Sequence, residues 1–483
     1  MSPTKSNHNT QDVQPHDCAI PQSHDYTTPT LAKNPCRRYS ESATHSTRCP
    51  RSPRHNSSPS AHKPLSICTH LVPDYNDIDL MSDLENWGGS EQMYIIGEEE
   101  VEAVRRVIES GQLFRYRGGE GGETDQFEHE WSETIGVRHT IAVTSGTAAL
   151  ICGLVGMGIG PGDEVIVPGY TFIATALAPL AVGAVPIIAE VDTSLTIDPE
   201  DIIRKITPRT KAIIPVHMVG LPSNMDAIMD IAHHYGLRVL EDACQADGGS
   251  YGGQRLGSIG DAGAFSFNHF KIITCGEGGA LVTNDRDIFE RALIFHDGGV
   301  AFREHVDQLR NPLFAGMNFR INEILSAILR VQLTRLDDML EAMLREKRTI
   351  IHALEGTGPF TFNPIHDVEG DCGTTVALLF DSEERMRDFT QKVRELGVRA
   401  DTPADSGRHI YANWEPILTQ RGAHHPALDA FKLAPATVTY SPDTCPQTLD
   451  VLSRTAYLYT NPTRPPEELQ SMIEAVEVVL RAL

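Results

Sequence analysis

No CxxC pair occurs among the nine cysteines, which fall at 18, 36, 49, 68, 152, 244, 275, 372 and 445. Such scatter excludes a disulfide framework and is read as free thiols in a reducing compartment, hence a cytoplasmic protein. The gaps between the first four fit no zinc module, so no metal is expected. No apolar run approaches the roughly 18 residues of a membrane span, and no basic start followed by an apolar stretch marks a secretory signal. Positive charge is also scarce: 41 Lys and Arg face 65 Asp and Glu, a net charge of −24. A chain this acidic repels phosphate backbones and anionic lipid, which argues against nucleic-acid and membrane partners. It does not exclude a phosphate held by a local cluster of backbone amides.

What is present divides in two. The first 80 or so residues are rich in Ser, Thr, Pro, His and Asn and show no apolar periodicity. Up to His70 they carry eight Lys and Arg against four Asp and Glu, a net of +4, so the remaining 413 residues carry −28. A segment of this kind buries too little apolar surface to offset its ordering entropy. Residues 1–85 are therefore expected to form a disordered extension without a catalytic role. A basic, Ser-rich targeting peptide, or a true start at Met81 or Met93, is the alternative. Order is expected from about Gln92, opening with a helix over 97–111 that has acids in its first turn and glycine at its end.

From about 139 to 300, β-branched runs alternate with helical ones. Strands are expected at 140–144, 164–168, 185–191, 211–217, 238–243, 262–267 and 279–283, with helices at 147–157, 171–183, 199–206 and 224–235. This alternation is the signature of an α/β domain with a mainly parallel sheet covered by helices on both faces. A long helix is expected from Asn318 to about Ala353. The remainder reads as a smaller α+β unit with a strand at 374–380 and helices at 383–396 and 466–483. The domain limits are set at 92–335 and 336–483.

In such folds ligands bind at the carboxyl ends of strands, near helix N-termini. Four segments place polar residues there. Thr144-Ser145-Gly146-Thr147-Ala148 turns from strand to helix; its amides and hydroxyls suit a phosphate, and equally suit an ordinary N-cap. Glu241-Asp242-Ala243-Cys244-Gln245 puts an acid at the end of a buried strand, where it needs solvent or a partner such as a protonated ring nitrogen. Gln245 is within reach of the same ring. Phe265-Ser266-Phe267-Asn268-His269-Phe270-Lys271 places a lysine in a largely apolar loop, followed by Gly276-Glu277-Gly278-Gly279. Desolvation lowers an amine's pKa, and the neutral amine is the form that attacks an aldehyde. Tyr170-Thr171-Phe172 opens a helix after a strand; Phe172 can stack on a flat ring or pack in the core.

Taken in order, these motifs resemble the DegT/DnrJ/EryC1/StrS family of pyridoxal-phosphate-dependent aminotransferases of fold type I. The resemblance covers about 92–483 and is carried by Ser-Gly-Thr-Ala-Ala-Leu, Gly-Asp-Glu-Val-Ile-Val-Pro, Tyr-Thr-Phe-Ile-Ala-Thr, Glu-Asp-Ala-Cys-Gln-Ala, Phe-Ser-Phe, Lys271, Gly-Glu-Gly-Gly-Ala and Gly316-Met-Asn318-Phe-Arg320. It implies a seven-stranded, mainly parallel sheet with a smaller C-terminal α+β domain, a homodimer with shared active sites, and pyridoxal 5'-phosphate as cofactor. By matching position, Lys271 is the Schiff-base lysine and Asp242 the partner of the ring nitrogen. Gln245 lies near the ring hydroxyl and Phe172 stacks on the ring. Ser145, Gly146, Thr147, the Ala148 amide and Ser266 surround the phosphate, and Asn318 reaches the phosphate of a neighbouring subunit. His217 is placed behind the site.

Relatives that dehydrate sugars carry histidine at the position of Lys271, so the lysine points to transamination. The donor is expected to be glutamate or glutamine, and the acceptor a keto or aldehyde group on a sugar, nucleotide-sugar or cyclitol. Arg115, Tyr116, Arg320 and His409 are candidates to touch that acceptor. The alternatives are a lyase, dehydratase or epimerase on the same scaffold, and a regulator without activity.

Overall fold

A computed structural model describes residues 95–116, 121–299, 309–433 and 438–483. The expected disordered extension over 1–85 lies outside them. The described chain opens with α1 (Glu98–Ser110) and α2 (Glu123–Ile135), each closed by a left-handed glycine, Gly111 and Gly136. Then follow β1 (His139–Val143), α3 (Gly146–Gly156), β2 (Glu164–Pro168), α4 (Ala174–Val182), β3 (Val185–Ala189), α5 (Pro199–Lys205), β4 (Thr210–Ile213), α6 (Met225–Tyr235) and β5 (Arg238–Asp242). A short hairpin, β6 (Ser250–Tyr251) and β7 (Gln254–Arg255), precedes β8 (Ala262–Ser266), β9 (Gly279–Thr283) and α7 (Arg286–His296).

Seven strands form one sheet in the order β1-β9-β8-β5-β4-β2-β3. The pairs β2–β3, β2–β4, β4–β5 and β5–β8 are parallel, as the alternating pattern predicts. β9 runs antiparallel to both its neighbours, β1 and β8. The carboxyl ends of β1, β2, β5 and β8 consequently share one edge. β2, β3, β8 and β9 are buried along their whole length, which is why they read as continuous apolar runs.

The expected single helix over 318–353 is corrected. Residues 318–322 are extended, and two helices follow, α8 (Glu323–Leu333) and α9 (Leu336–Leu354). Asn322 caps α8 by accepting from the Leu325 amide at 3.1 Å. The break falls at Thr334-Arg335, where the Arg335 guanidinium turns back to the Ile95 carbonyl and the Glu99 and Glu100 carboxylates of the first helix. Neither glycine nor proline marks that break; a long-range contact makes it.

Beyond α9 lie β10 (Phe360–Phe362), β11 (Thr375–Phe380), α10 (Glu383–Glu395), β12 (Ala400–Asp401), α11 (Glu415–Leu418), α12 (Ala430–Leu433), α13 (Pro446–Ser453), β13 (Thr455–Tyr459) and α14 (Pro466–Leu480). The four strands form an antiparallel sheet in the order β10-β11-β13-β12. Its core joins Val376, Leu378 and Phe380 to Phe389 of α10, Val476 of α14 and Ile350 of α9. A buried ion pair between Lys347 on α9 and Asp371 ties the long helix to the chain entering β11.

Candidate active site

Asp242 ends β5 and is only 4% exposed. Its Oδ2 accepts from the Thr175 hydroxyl at 2.7 Å and its Oδ1 from the Cys244 amide at 3.2 Å. Thr175 is itself buried and shares its hydroxyl with Thr171 at 2.7 Å. One lone-pair direction on each carboxylate oxygen is thereby used, and the group is fixed in place with acceptor capacity left.

Behind Asp242 lies a buried polar network. The Glu241 carboxylate accepts from the amides of Gly257, Ile259 and Gly260 and pairs with His217 Nε2 at 3.1 Å. His217 Nδ1 accepts from the Ser223 amide at 3.1 Å, so the Nε2 nitrogen carries the hydrogen. The His217 amide donates to the Asp242 carbonyl, and the Asp242 amide to the Pro215 carbonyl. His217 thus steadies the strand end from behind, the place expected for it.

The first helix turn faces Asp242 from the side. Ser145 caps α3, its hydroxyl accepting from the Ala148 amide at 3.1 Å. The Ala148 amide is therefore already engaged, and the Gly146 and Thr147 amides are the donors left at this helix start. A Cβ on Gly146 would lie 2.7 Å from Cys244 Sγ and 2.8 Å from Ser266 Cβ. The glycine lets three strand ends, those of β1, β5 and β8, close on one small cradle. Ser266 is nearly buried at the end of β8.

Lys271 lies in the loop that joins β8 to β9. The loop is closed on itself: the Phe267 amide donates to Gly278, the His269 amide to Gly276 and the Cys275 amide to Phe267. Phe267 and Phe265 anchor it below, edge-on to Trp131 at 5.2 and 5.0 Å between ring centres. Gly279 ends the loop where a Cβ would strike the Ser145 backbone at 2.4 Å. Burial pushes the Cys244 thiol well above its ordinary range, the Asp242 charge adds to that, and the Lys271 charge opposes it. Cys244 therefore lies within the field of both groups.

Phe172 is 41% exposed at the entrance to α4, its ring centre 5.8 Å from that of His409. Burial, then the nearby charges of Lys271 and Arg408, push His409 down to about 4. Its Nδ1 meets the Ser406 hydroxyl at 2.7 Å. His409 thus belongs to this cleft although it comes from the C-terminal part of the chain. Gln245 Oε1 accepts from the Val219 amide at 3.2 Å, and its Nε2 faces Met218 Sδ. Val219 has a φ of 48°, rare for a β-branched residue, and its carbonyl accepts from the Thr374 hydroxyl at 2.6 Å.

The remaining candidates line the edge near β1. Arg115 is buried in an ion pair with Glu128, and its Nη1 donates to the Ala142 carbonyl at 2.9 Å. It braces β1 through both terminal nitrogens, while its buried Nε makes no hydrogen bond. Tyr116 lies against it and meets His296 Nε2 at 3.2 Å. Arg320 pairs with buried Asp297 at 2.5 Å and covers the Phe114 ring. Asn318 is exposed, its Oδ1 accepting from the Arg320 amide at 3.3 Å.

Sequence reasoning passed over Thr175. Thr175 stands in the motif that carries Phe172, three residues on, but only the fold shows its hydroxyl on Asp242. Among the described residues all five cysteines are free thiols, and no helix is long and apolar enough to cross a membrane.

Residues 94–412 match the DegT/DnrJ/EryC1/StrS aminotransferase family. The 3-amino-5-hydroxybenzoate synthase of Amycolatopsis mediterranei is 37% identical over 317 residues, 64% of this chain and 80% of that protein. The dTDP-3-amino-3,4,6-trideoxy-alpha-D-glucose transaminase of Streptomyces venezuelae is 40% identical over 237 residues, 49% of this chain and 60% of that protein, less than two thirds of its length. A crystal structure of 3-amino-5-hydroxybenzoic acid synthase superposes with a TM-score of 0.68 at 30% identity, covering 82% of this chain and 99% of the other.

Proposed function

The chain belongs to the DegT/DnrJ/EryC1/StrS aminotransferase family, and from that premise we propose that it moves an amino group from glutamate or glutamine to a carbonyl of a sugar, nucleotide-sugar or cyclitol, using pyridoxal 5'-phosphate held at Lys271. The observation that carries this reading is the convergence on Cys244. That one side chain touches the Gly146 helix start, adjoins Asp242 and feels the charge of Lys271. The residues fit the cofactor: a glycine-tight helix start for a phosphate, a fixed carboxylate for a ring nitrogen, an amide donor for a ring hydroxyl and an exposed aromatic face for the ring.

When bound, the cofactor supplies an electron sink next to the carbon that loses its proton. The protein's part is positioning and proton movement. Lys271 would hold the cofactor, and its amine would accept the proton that the donor carbon loses. Asp242, held by Thr175, would pair with the protonated ring nitrogen. The Gly146 and Thr147 amides and the Ser266 hydroxyl would hold the phosphate, and Phe172 would offer its face to the ring. Asn318, exposed on its own subunit, reaches the phosphate of a second subunit in a cytoplasmic homodimer. Phe172 and His409 flank the entrance for the acceptor.

The named relatives are a transaminase named for a trideoxy amino sugar and a synthase named for an aminohydroxybenzoate, which supports a ring-bearing ketone as the acceptor. The test is spectral. The purified protein should show a visible cofactor band that glutamate or glutamine bleaches, with the matching keto acid released. Lys271→Ala should lose the band and turnover; wild-type kinetics in that variant would refute the assignment.

A further inference from the structure

The Met218–Gly220 turn stands between Gln245 and the C-terminal part of the chain. Val219, its middle residue, has a φ of 48° and a ψ of 34°, a left-handed conformation that glycine adopts freely and valine does not. A β-branched residue stays there only where its surroundings over-determine it. Both backbone groups of Val219 are engaged by side chains distant in sequence. Its amide donates to Gln245 Oε1 at 3.2 Å, and its carbonyl accepts from the Thr374 hydroxyl at 2.6 Å. Thr374 is buried at the start of β11, and its own carbonyl accepts from the Thr460 amide at 3.2 Å. The hydroxyl that reaches Val219 is thus carried by the C-terminal sheet.

The segment before β11 closes on the same turn at a second point. The Cys372 amide donates to the Gly220 carbonyl at 3.1 Å, and a Cβ on Gly220 would lie 2.9 Å from Thr374 Oγ1. The two bonds of Val219 stand or fall together. Its amide lies in one peptide plane and its carbonyl in the next, and only φ and ψ relate the two. Relaxing φ to the ordinary helical value would turn one plane against the other by roughly 100°, and one partner would be lost. The Gln245 end is equally directional. A backbone amide can only donate, so the carboxamide oxygen is the atom that faces Val219 and Nε2 is the atom left to donate. One Nε2 hydrogen faces the weak acceptor Met218 Sδ at 3.2 Å, which leaves the second for a stronger one.

We infer that Thr374 is a positioning residue for the cofactor site. Acting through the Val219 peptide, it holds the Gln245 carboxamide with its oxygen turned to the protein and its Nε2 presented as the donor to the oxygen on the cofactor ring. The C-terminal sheet thereby sets the orientation of a group that the seven-stranded sheet carries. The inference rests on the reading of Gln245 as the partner of the ring hydroxyl, but the hold on Gln245 is tested without cofactor.

The test uses the full-length chain in two forms. In the cofactor-free protein, hydrogen exchange at the Val219 amide is read by mass spectrometry at single-residue resolution. Thr374→Val should speed that exchange by about threefold to tenfold, and Thr374→Ser, which keeps the hydroxyl, should leave it near wild type. In the second form, pyridoxal 5'-phosphate is titrated and followed by its visible band. Thr374→Val should weaken binding by about threefold to tenfold, with Thr374→Ser again near wild type. Added to Gln245→Ala, Thr374→Val should weaken binding no further, because it acts through that side chain. Unchanged exchange and affinity in Thr374→Val overturn the inference, and so does a loss that adds in full to that of Gln245→Ala. A crystal structure of the wild-type holoprotein guards against variants that do not fold: a Gln245 that has left the Val219 amide there overturns the inference too. A wild type that took up no cofactor, with exchange responding as expected, would uphold the hold on Gln245 and refute the reading of the site.

Discussion

Replacing Gly146 with alanine sets two effects of known sign against each other. Gly146 is the first residue of α3, and its φ is not in the left-handed region, so alanine is conformationally allowed. Helix propensity by itself then favours alanine by about 1 kcal/mol. Packing opposes it. The new Cβ would lie 2.7 Å from Cys244 Sγ and 2.8 Å from Ser266 Cβ, both closer than real Cβ contacts allow. Overpacking of this kind costs about 1–3 kcal/mol, so the net change in stability is a loss of about 0–2 kcal/mol. The larger effect belongs to the site. The helix start must withdraw from the β5 and β8 ends, and the Gly146 and Thr147 amides withdraw with it. If that forfeits one charge-assisted hydrogen bond to the phosphate, about 1.5–3 kcal/mol, cofactor affinity falls at least about tenfold. The assay is a cofactor titration followed by its visible band, with urea unfolding on the cofactor-free protein. Adding Cys244→Ala should recover part of the affinity, because it removes one of the two clashes. If Gly146→Ala bound cofactor as tightly as wild type and was also more stable, the cradle would not be packed as described.

Two further outcomes follow from buried charge. Lys347→Met leaves Asp371 uncompensated in the interior and should cost about 3–5 kcal/mol in urea unfolding; Lys347→Met with Asp371→Leu should be clearly more stable than the single variant. His409 is pushed down from 6.5 to about 4, so the unfolded chain takes up its proton first as pH falls. The destabilisation it causes is therefore absent above about pH 6.5 and complete below about pH 4. His409→Asn should flatten the pH dependence of unfolding across that window, and an unchanged slope would mean that His409 is not held neutral.

The parallel part of the sheet was legible because strands buried on both faces must read as apolar runs between amphipathic helices. Asp242 drew notice as an acid at the end of a buried strand, and Lys271 through the order of the motifs around it rather than by itself. What stayed hidden depended on contacts distant in sequence. The break at Thr334-Arg335 is made by carboxylates more than 230 residues earlier. The basic, aromatic loop of Arg115 gave no sign that Glu128 and the Ala142 carbonyl would hold its two terminal nitrogens. Thr175 was visible as a letter, but its role needed the 67-residue separation from Asp242 to be closed by the fold.

Thr147 and Asp242 lie where a strand gives way to a helix or a turn, so moving either disturbs a crossover packed on the sheet. Lys271 is carried by a hairpin whose two ends are adjacent strands, β8 and the antiparallel β9. That loop is closed by its own backbone hydrogen bonds and rests on an aromatic floor. It is a replaceable module. A different side chain at 271 can be mounted in the same place without repacking a helix, so the strand ends gathered around Gly146 stay as they are.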